Sequence, residues 1–401
     1  MLIKFTNCRL AVNGTLVEKD LWVDSAKGVI IDSQKCFYDH HAMPDHTVNL
    51  GGKIISPGFI DIQINGAMGM DFSAFKDNET YSSGVKLVNK FLVRFGVTAY
   101  CPTLTSQYPD IYKQVLILGD TFNLQTLPHL RPVQTRNPQD GSEILGVHVE
   151  GPFLNAGKRG IHSTAVLRTI SSGNFKEFES CYGSDALISH GPSIPPAIRI
   201  ITGAPELNGM MSIIAECKRR HIIFSIGHST ATIETAEQAV QSGATLITHL
   251  FNAMEDLHHR DPGIIGLLGS QDTLPRPYFG IICDGIHIHK SCVKLAYRSH
   301  PHGTVLVTDA MAQLGLPNGT YDWTNGERIT KDGRHLHLEG EETIAGRYTY
   351  FEYTELSVVR LLLMSVFAIL CLGLLVPLLK QWNVLLHIPP SCLGLLTRRE
   401  H

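Results

Sequence analysis

The feature that most constrains the fold is a series of eight short apolar runs, which are separated by longer segments. The runs have the length of buried strands, and strands that alternate with helices form parallel sheets. One separating segment, residues 231–242, carries apolar residues at the spacing of an amphipathic helix. Eight such units predict an α/β fold, a (β/α)8 barrel of the TIM type. The predicted strands are residues 59–64, 97–101, 144–149, 198–203, 222–227, 245–250, 279–284 and 304–309.

The N-terminal region has a different rhythm from the barrel region. Residues 1–55 alternate apolar and polar side chains, with Asn-Gly and Lys-Gly turns between the runs. This pattern is typical of small antiparallel strands. We therefore expect a small β-rich domain over residues 1–55 and a catalytic barrel over residues 56–346.

Charge and cysteine usage narrow the choice of partner and compartment. The formal net charge is −3, with acidic and basic residues mixed along the chain, so we expect no nucleic-acid partner. Nine cysteines without a C-x-x-C pair favour free thiols in a reducing compartment. The N-terminus lacks an apolar stretch of signal-peptide length. These observations predict a cytoplasmic protein.

Polar side chains follow the predicted strands at the point where each strand ends. In a barrel of this type the chemistry lies at the carboxyl ends of the strands, so we expect these side chains to share one site. They are Gln63, Asn65, Glu150, His228, His249, Asp284 and Asp309.

Three of these residues match the ligand set of a catalytic metal ion. Taken singly, Glu150 is explained as a loop glutamate, and His228 and His249 as histidines bonded to backbone. Together, one carboxylate and two neutral imidazoles match catalytic zinc, which keeps a fourth position open for water and lowers its pKa. Asp309 is placed to transfer the protons, although an aspartate here also suits the N-cap of a following helix.

Gln63 and Asn65 raise a question about the metal. They lie one residue apart on the first barrel strand, so both side chains leave the strand on the same face. Many metal-dependent hydrolases carry two histidines at this position. Neutral amides are poor zinc ligands beside imidazole or carboxylate. Either no metal is present, or other residues hold it.

Seven stretches of the sequence together carry a family signature. They are PGFIDIQINGAMGMDF, GVHVEGPFLNAGKRGIH, SIGHS, THLFNAM, HHRDPGIIG, CDGIHIH and LVTDAMAQLG. They resemble the N-acetylglucosamine-6-phosphate deacetylases of the amidohydrolase superfamily, and the resemblance covers residues 1–346. It implies an enzyme of amino sugar catabolism that hydrolyses N-acetylglucosamine 6-phosphate to glucosamine 6-phosphate and acetate with metal-activated water.

The resemblance also implies roles for individual residues. Some family members carry Gln-x-Asn on the first strand and hold a single ion, so one divalent ion, zinc, is implied here. Its ligands are Glu150, His228 and His249, and Asp309 is the proton-transfer residue. The implied substrate contacts are Ile161, His162, Asn252, Ala253, Arg260, His287, Ile344, Ala345 and Gly346.

Two of these contacts imply an assembly. Arg260 and His287 look like the phosphate-binding pair, which family members supply from the neighbouring subunit, so a homodimer is implied. Other interpretations stay open for both residues. Arg260 could form a surface ion pair with Asp261, and His287 with His289 could form a second H-x-H metal site.

The resemblance ends at Gly346, and the C-terminal part of the family fold is replaced. Arg347 stands where the family has a small hydroxyl residue, and residues 347–401 match nothing in it. Within them, residues 361–379 form an uncharged apolar run long enough to cross a bilayer. Two interpretations are open, a membrane-spanning segment that would bring membrane contact, or an aberrant end that does not fold.

Two other functions also stay open. The first is hydrolysis of a cyclic amide by another type of amidohydrolase, which Gln63 and Asn65 oppose because that class usually needs H-x-H and a bridging lysine. The second is a catalytically impaired isoform that serves as a scaffold. The intact ligand set opposes the scaffold, whereas the unmatched C-terminus favours it.

Overall fold

A computed structural model of the chain describes residues 1–12, 14–39, 41–116, 130–132, 138–191, 194–270, 274–323, 326–333, 335–339 and, for the backbone, 344–347. The predicted tail beyond Arg347, with its apolar run 361–379, lies outside these residues. Among the residues described, no helix has both the length and the apolar character needed to cross a membrane.

The N-terminal strands form two small sheets around a separate apolar cluster that includes Phe5 and Leu21. The strands are β1 (Leu2–Thr6), β2 (Arg9–Val12), β3 (Thr15–Glu18), β4 (Leu21–Asp24), β5 (Val29–Ile31), β6 (His46–Asn49) and β7 (Ile54–Ile55). The β-rich character is as predicted, but the expectation of purely antiparallel strands was wrong. Strand β6 pairs in parallel with β1, and β7 pairs in parallel with β2. Parallel pairs need a longer return connection, which the sequence pattern did not reveal.

Eight parallel strands follow and form the barrel, each paired with the next along the chain. In chain order the strands of this region are β8 (Phe59–Ile64), β9 (Gly66–Ala67), β10 (Met70–Asp71), β11 (Val97–Leu104), β12 (Glu143–Ile144), β13 (Val147–Glu150), β14 (Ile198–Gly203), β15 (Ile223–Ile226), β16 (Leu246–Ile247), β17 (Tyr278–Ile281) and β18 (Thr304–Leu306). The eight that form the barrel are β8, β11 and β13 to β18.

Backbone hydrogen bonds join the first barrel strand to the chain that leaves the last one. The Asp309 amide donates to the Gln63 carbonyl over 2.8 Å, and the Asn65 amide donates to the Ala310 carbonyl over 2.7 Å. The predicted barrel is therefore confirmed. The same bonds bring the amide pair of β8 next to Asp309.

One predicted strand, residues 144–149, is divided into β12 and β13. Gly146 lies at the division with a φ of +111°, a conformation that favours glycine. A Cβ atom there would approach the Arg199 side chain to 2.2 Å. The chain therefore changes register at Gly146 and enters the barrel only at Val147.

Helices lie between the barrel strands. They are α1 (Asn78–Leu92), α2 (Pro109–Leu116), α3 (Lys176–Tyr182), α4 (Met210–Arg219), α5 (Ile233–Ser242) and α6 (Lys290–Ser299). The predicted helix over residues 231–242 corresponds to α5, which begins after Thr232. The Thr232 side chain accepts a hydrogen bond from the Thr235 amide and so caps the first turn.

An antiparallel sheet follows the barrel, and the sequence patterns did not predict it. Its strands are β19 (Gly319–Asp322), β20 (Arg328–Asp332), β21 (His335–Leu338) and β22 (Ile344–Arg347). It is tied to loops at the barrel mouth, where the Trp323 indole donates to Asp71 over 2.9 Å. The ammonium of the buried Lys331 donates to the Gln313 carbonyl over 3.3 Å.

A cluster of aromatic side chains supports the turn that follows β13. Phe153 stacks on Phe178 of α3 with ring centroids 4.4 Å apart. The hydroxyl of Tyr182, which is fully buried, donates to the Gly151 carbonyl over 2.8 Å. This bond fixes the backbone directly after Glu150.

We expect Tyr182→Phe to lower the free energy of unfolding by about 1 kcal/mol, because it removes one buried hydrogen bond. The measurement is the denaturation midpoint in urea. Tyr108→Phe is the control, since Tyr108 is 52% exposed. Equal midpoints for Tyr182→Phe and the wild type would show that this bond does not stabilise the fold.

Candidate metal centre and active site

Three side chains from three strand ends converge on one point of the barrel mouth. Oε1 of Glu150 lies 3.1 Å from Nε2 of His228 and 3.0 Å from Nε2 of His249. The two Nε2 atoms are 3.1 Å apart. Ligand atoms around a tetrahedral zinc ion are separated by roughly 3.3 Å, given its usual bond lengths. The triangle of Glu150, His228 and His249 therefore suits one such ion.

The tautomer of His228 supports the same conclusion. Its Nδ1 lies 2.8 Å from the Lys158 carbonyl oxygen, and a carbonyl can only accept, so Nδ1 carries the proton. The other ring nitrogen, Nε2, faces Oε1 of Glu150. Two acceptors this close are favourable only with a proton or a cation between them, and metal-binding histidines commonly donate their other nitrogen to such a carbonyl.

His162 is a neighbour of this triangle. One of its ring nitrogens lies within 4.8 Å of the ligand atoms of Glu150 and His228. Its Nδ1 accepts from the Ser106 amide over 3.1 Å and lies 2.8 Å from the Ser106 hydroxyl. The contacts of His249 are much shorter, so His249 is the better third ligand and His162 is left to face a substrate.

Left-handed backbone conformations turn the key side chains into the mouth. His228, His249 and Asp309 have φ angles of +50°, +28° and +48°. This region costs a non-glycine residue of order 1 kcal/mol or more and tends to occur at functional sites. The chain leaves β16 and β18 before His249 and Asp309, so both strands are shorter than predicted.

Gln63 and Asn65 contact the acidic residues of the site. The amide nitrogen of Gln63 lies 3.2 Å from Oε1 of Glu150 and donates to it. The amide nitrogen of Asn65 donates to Oδ1 of Asp309 over 2.7 Å. Each amide therefore orients a carboxylate.

The two carboxylates of the site have opposite pKa shifts. Burial by itself would raise the pKa of Glu150, but the two imidazoles hold it well below its usual value. Loss of hydration raises the pKa of Asp309, and the charge of Glu150 raises it further. Burial lowers the pKa of His162 to about 3, so this ring is neutral. The site thus combines an ionised ligand, a neutral imidazole and an acid that can take up a proton.

Comparison with known proteins identifies the family. No protein-family model matches the sequence. The N-acetylglucosamine-6-phosphate deacetylase of Mus musculus is 43% identical over 347 residues, which cover 86% of this chain and 78% of the relative. The chain belongs to the N-acetylglucosamine-6-phosphate deacetylase family. The predicted family is thereby confirmed.

Solved structures of N-acetylglucosamine-6-phosphate deacetylases share this architecture. The enzyme from Pasteurella multocida superposes with a TM-score of 0.64 at 26% identity, covering 86% of this chain and 81% of that one. A mutant from Mycobacterium smegmatis, in complex with N-acetyl-D-glucosamine-6-phosphate, gives a TM-score of 0.64 at 24% identity and covers 86% and 80%. The second likeness concerns the fold alone.

The substrate contacts implied by the deacetylase family lie at different distances from the metal triangle. His162 lies beside it, with its ring centroid 4.7 Å from that of His228. Asn252 is adjacent, because its side chain donates to the His249 carbonyl over 3.2 Å. Ile161 precedes His162 in the sequence and Ala253 follows Asn252, and both are half-buried. Their contact with substrate stays a prediction.

His287 is oriented by a buried carboxylate. Its Nδ1 donates to Oδ2 of Asp284 over 2.6 Å, while Oδ1 of Asp284 accepts from the backbone amides of Ile286 and His287. The alternative H-x-H metal site has no support in the described residues, where His287 and His289 belong to no cluster that could hold a metal ion. The imidazole of His289 instead caps α6 by accepting from the Ser291 amide over 3.2 Å.

Arg260 is exposed. Among the residues described, no hydrogen bond or ion pair joins it to another predicted site residue. The alternative surface pair with Asp261 is also absent from that part of the chain, since Asp261 accepts from the Ile233 and Gly263 amides over 3.0 and 3.1 Å.

Three predicted contacts fall on the last described strand. The backbone of Ile344, Ala345 and Gly346 forms β22, which pairs with β21. Their proposed contact with substrate stays a prediction.

Ser106 is a site residue that sequence reasoning missed. Besides holding His162, its hydroxyl donates to the Glu150 carbonyl over 3.3 Å. It lies just after β11, the same position relative to a strand that singled out the other site residues. A serine was not selected because its hydroxyl has no charge and is common in loops.

We expect His249→Ala to weaken zinc binding by about 100-fold or more, because loss of even an outer partner of a ligand costs about 10–100-fold. Equilibrium dialysis against zinc measures the dissociation constant and the number of ions per chain. His302→Ala is the control, since His302 is exposed. Two ions per wild-type chain, or unchanged binding by His249→Ala, would contradict the single-ion triangle.

Proposed function

We propose that this protein hydrolyses N-acetylglucosamine 6-phosphate to glucosamine 6-phosphate and acetate, in amino sugar catabolism. The observation that carries the proposal is the buried triangle of Glu150, His228 and His249, with Asp309 beside it at the mouth of the barrel. Its support from relatives is the 43% identity to the mouse enzyme of that name over 86% of the chain. The Mycobacterium smegmatis relative binds this substrate in its solved structure.

The metal that suits these ligands is one zinc ion per chain. When bound, such an ion polarises the amide carbonyl and supplies hydroxide at neutral pH by lowering the pKa of its water. Glu150, His228 and His249 would hold it. Gln63 contributes by orienting Glu150, since its amide donates to the carboxylate oxygen that faces both imidazoles.

Asp309 is the proposed proton-transfer residue. It accepts the proton of the attacking water and later donates it to the departing amine of the sugar. Its raised pKa allows it to retain that proton between the two steps. Asn65 donates to Oδ1 of Asp309, which leaves Oδ2 for the reacting groups. The interpretation as a helix N-cap is not supported, because Asp309 lies in a left-handed turn and no helix follows it directly in the described residues.

His162 is the proposed donor to the scissile carbonyl. Since Nδ1 accepts from the Ser106 amide, the proton of the neutral ring lies on Nε2. An Nε2–H group in a buried position stabilises negative charge on the carbonyl oxygen as the tetrahedral intermediate forms. Ser106 thus fixes both the tautomer and the direction of the ring.

The sugar phosphate is proposed to contact residues from neighbouring loops. Asn252 and Ala253, with Ile161, lie next to the metal ligands and suit the ring and the acetyl group. His287 suits the phosphate, because Asp284 holds Nδ1 and so fixes the direction of the ring while Nε2 is left to face a ligand. Ile344, Ala345 and Gly346 would complete this pocket from β22.

A homodimer would explain the position of Arg260. It is exposed and forms no hydrogen bond or ion pair with another predicted site residue among the residues described, so we propose that it binds the phosphate in the partner subunit. A cytoplasmic location is proposed as well. The seven cysteines in the described residues are all free, which suits a reducing compartment.

We expect Asp309→Asn to lower turnover by about 10²–10⁴-fold while metal binding is retained, because general acid–base catalysis contributes about that factor. The assay measures acetate released from N-acetylglucosamine 6-phosphate, together with the zinc content of the protein.

The control is Asp322→Asn, since the side chain of Asp322 is 98% exposed. Full turnover by Asp309→Asn would refute the role of Asp309. A wild-type protein that binds zinc but releases no acetate would favour the scaffold. Release of product only from a cyclic amide would favour the other hydrolase.

A further inference from the structure

The strand between two ligand-bearing strands contributes no predicted site residue. Strand β14 pairs with β13 on one side and with β15 on the other. Glu150 ends β13, and His228 follows β15. The loop after β14 carries Glu206, a half-buried carboxylate that reaches the loops on both sides.

Glu206 accepts four hydrogen bonds from these two loops. From the loop after β15, Ser229 Oγ donates to Oε2 over 2.6 Å, and Thr230 donates to Oε1 from its amide over 2.7 Å and from its hydroxyl over 3.2 Å. From the loop after β13, Asn155 Nδ2 donates to Oε1 over 2.9 Å. The carboxylate thus joins the two loops, which the Asn155 side chain also joins directly by donating to the Thr230 hydroxyl over 2.9 Å. Hydrogen bonds to a charged acceptor are about twice as strong as neutral ones.

The loop after β13 contacts both the backbone and the ring of His228. The Asn155 amide donates to the His228 carbonyl over 2.9 Å. Asn155 Oδ1 accepts from the Gly157 amide over 2.8 Å, which turns the loop back. The next residue, Lys158, then presents the carbonyl that accepts from Nδ1 of His228 over 2.8 Å. The direction of the imidazole is therefore set by the loop that Asn155 begins.

The other loop fixes the backbone of His228. Ser229 is fully buried, and its amide donates to the Ala253 carbonyl over 3.2 Å. Its hydroxyl lies between Glu206 and the Ala231 amide, which donates to it over 3.0 Å. His228 has a left-handed backbone conformation, with a φ of +50°. The bonds of Ser229 hold the chain directly after this residue.

We propose that Glu206 is a positioning residue that holds His228 in its metal-binding orientation by joining the loops after β13 and β15. This inference rests on the proposed metal-dependent function, which it deepens. Glu206 is not expected to touch the metal or the substrate. Its effect passes through Asn155 and Lys158 to the ring, and through Ser229 to the backbone.

The principal test compares zinc affinity in Glu206→Gln, Glu206→Ala and the wild type. We expect about 10–100-fold weaker zinc binding, the loss typical for outer partners of metal ligands. Zinc affinity is measured by competition with a chelating dye, and unfolding of the metal-free proteins is measured by circular dichroism. A role limited to stability would move the unfolding transition and leave the zinc affinity of the folded protein unchanged.

The chain offers a matched control in Glu177. This half-buried carboxylate also accepts four hydrogen bonds, from the amides and hydroxyls of Ser171 and Ser172. It lies in the first turn of α3 rather than at the metal triangle. We expect Glu177→Gln to bind zinc as the wild type does. The control therefore distinguishes the loss of any hydrogen-bonded carboxylate from the loss of Glu206.

A second variant keeps the proposal testable if Glu206→Ala does not fold. Asn155→Asp keeps the oxygen that accepts from Gly157 but replaces the donor to Glu206 by a second negative oxygen. We expect it to weaken zinc binding in the wild-type background and to have a smaller effect in the Glu206→Gln background, because both changes act on the bond between Asn155 and Glu206.

The outcomes separate this inference from the proposed function. Wild-type zinc affinity in folded Glu206→Gln and Asn155→Asp would overturn the positioning role, even if the wild type releases acetate. Full additivity in the double variant would overturn it as well. A wild-type protein that binds zinc but does not release acetate would refute the proposed reaction, whereas weakened binding in both variants would still support the role of Glu206.

Discussion

The structure of the site depends on how a buried carboxylate is kept charged. Glu150 is 3% exposed, and an ionised carboxylate in such a place is unfavourable unless partners surround it. The partners come from three other strand ends, Gln63 at the end of β8, His228 after β15 and His249 after β16. None of them is near Glu150 in sequence, so they meet only when the barrel closes. Burial of this charge and closure of the barrel are therefore linked.

Much of the fold could be predicted, because local patterns of apolar residues in the sequence indicate the barrel strands and helices. Short apolar runs and helix-length segments alternate eight times, and chemistry in such a barrel gathers at one end. That is why Glu150, His228, His249 and Asp309 could be selected without a structure. The two-residue spacing of Gln63 and Asn65 was equally informative, since it predicted that both side chains lie on the same face of one strand.

The rest depends on contacts that no local pattern encodes. Asn155 and Glu206 are 51 residues apart in the sequence. Both are polar residues of a type that is common in loops, so neither was selected as a site residue. The left-handed turns at His249 and Asp309 are not marked by glycine, so their strands were predicted too long. The sheet of β19 to β22 was missed because its strands are short and mixed in polarity.

The interior of the barrel below the metal triangle is unusually polar. Layers of branched apolar side chains normally fill this space, but here the buried His148 lies 2.7 Å from the Thr202 hydroxyl, which lies 2.7 Å from that of Thr248. Ser225 continues the chain. Burial lowers the pKa of His148 to about 4, so this layer is neutral. It satisfies its own hydrogen bonds and places no further charge beneath Glu150.

The two carboxylates at the metal triangle have different tasks. Glu150 is held ionised by two imidazoles, whereas Asp309 is made easier to protonate by loss of hydration and by the charge of Glu150 itself. Environments that separate the pKa values of two like groups assign one as a fixed charge and the other as an acid or base. The two amides act on different carboxylates, since Gln63 donates to Glu150 and Asn65 donates to Asp309. The bond from Asn65 by itself lowers the pKa of Asp309, but loss of hydration and the charge of Glu150 outweigh it, so the pKa stays raised.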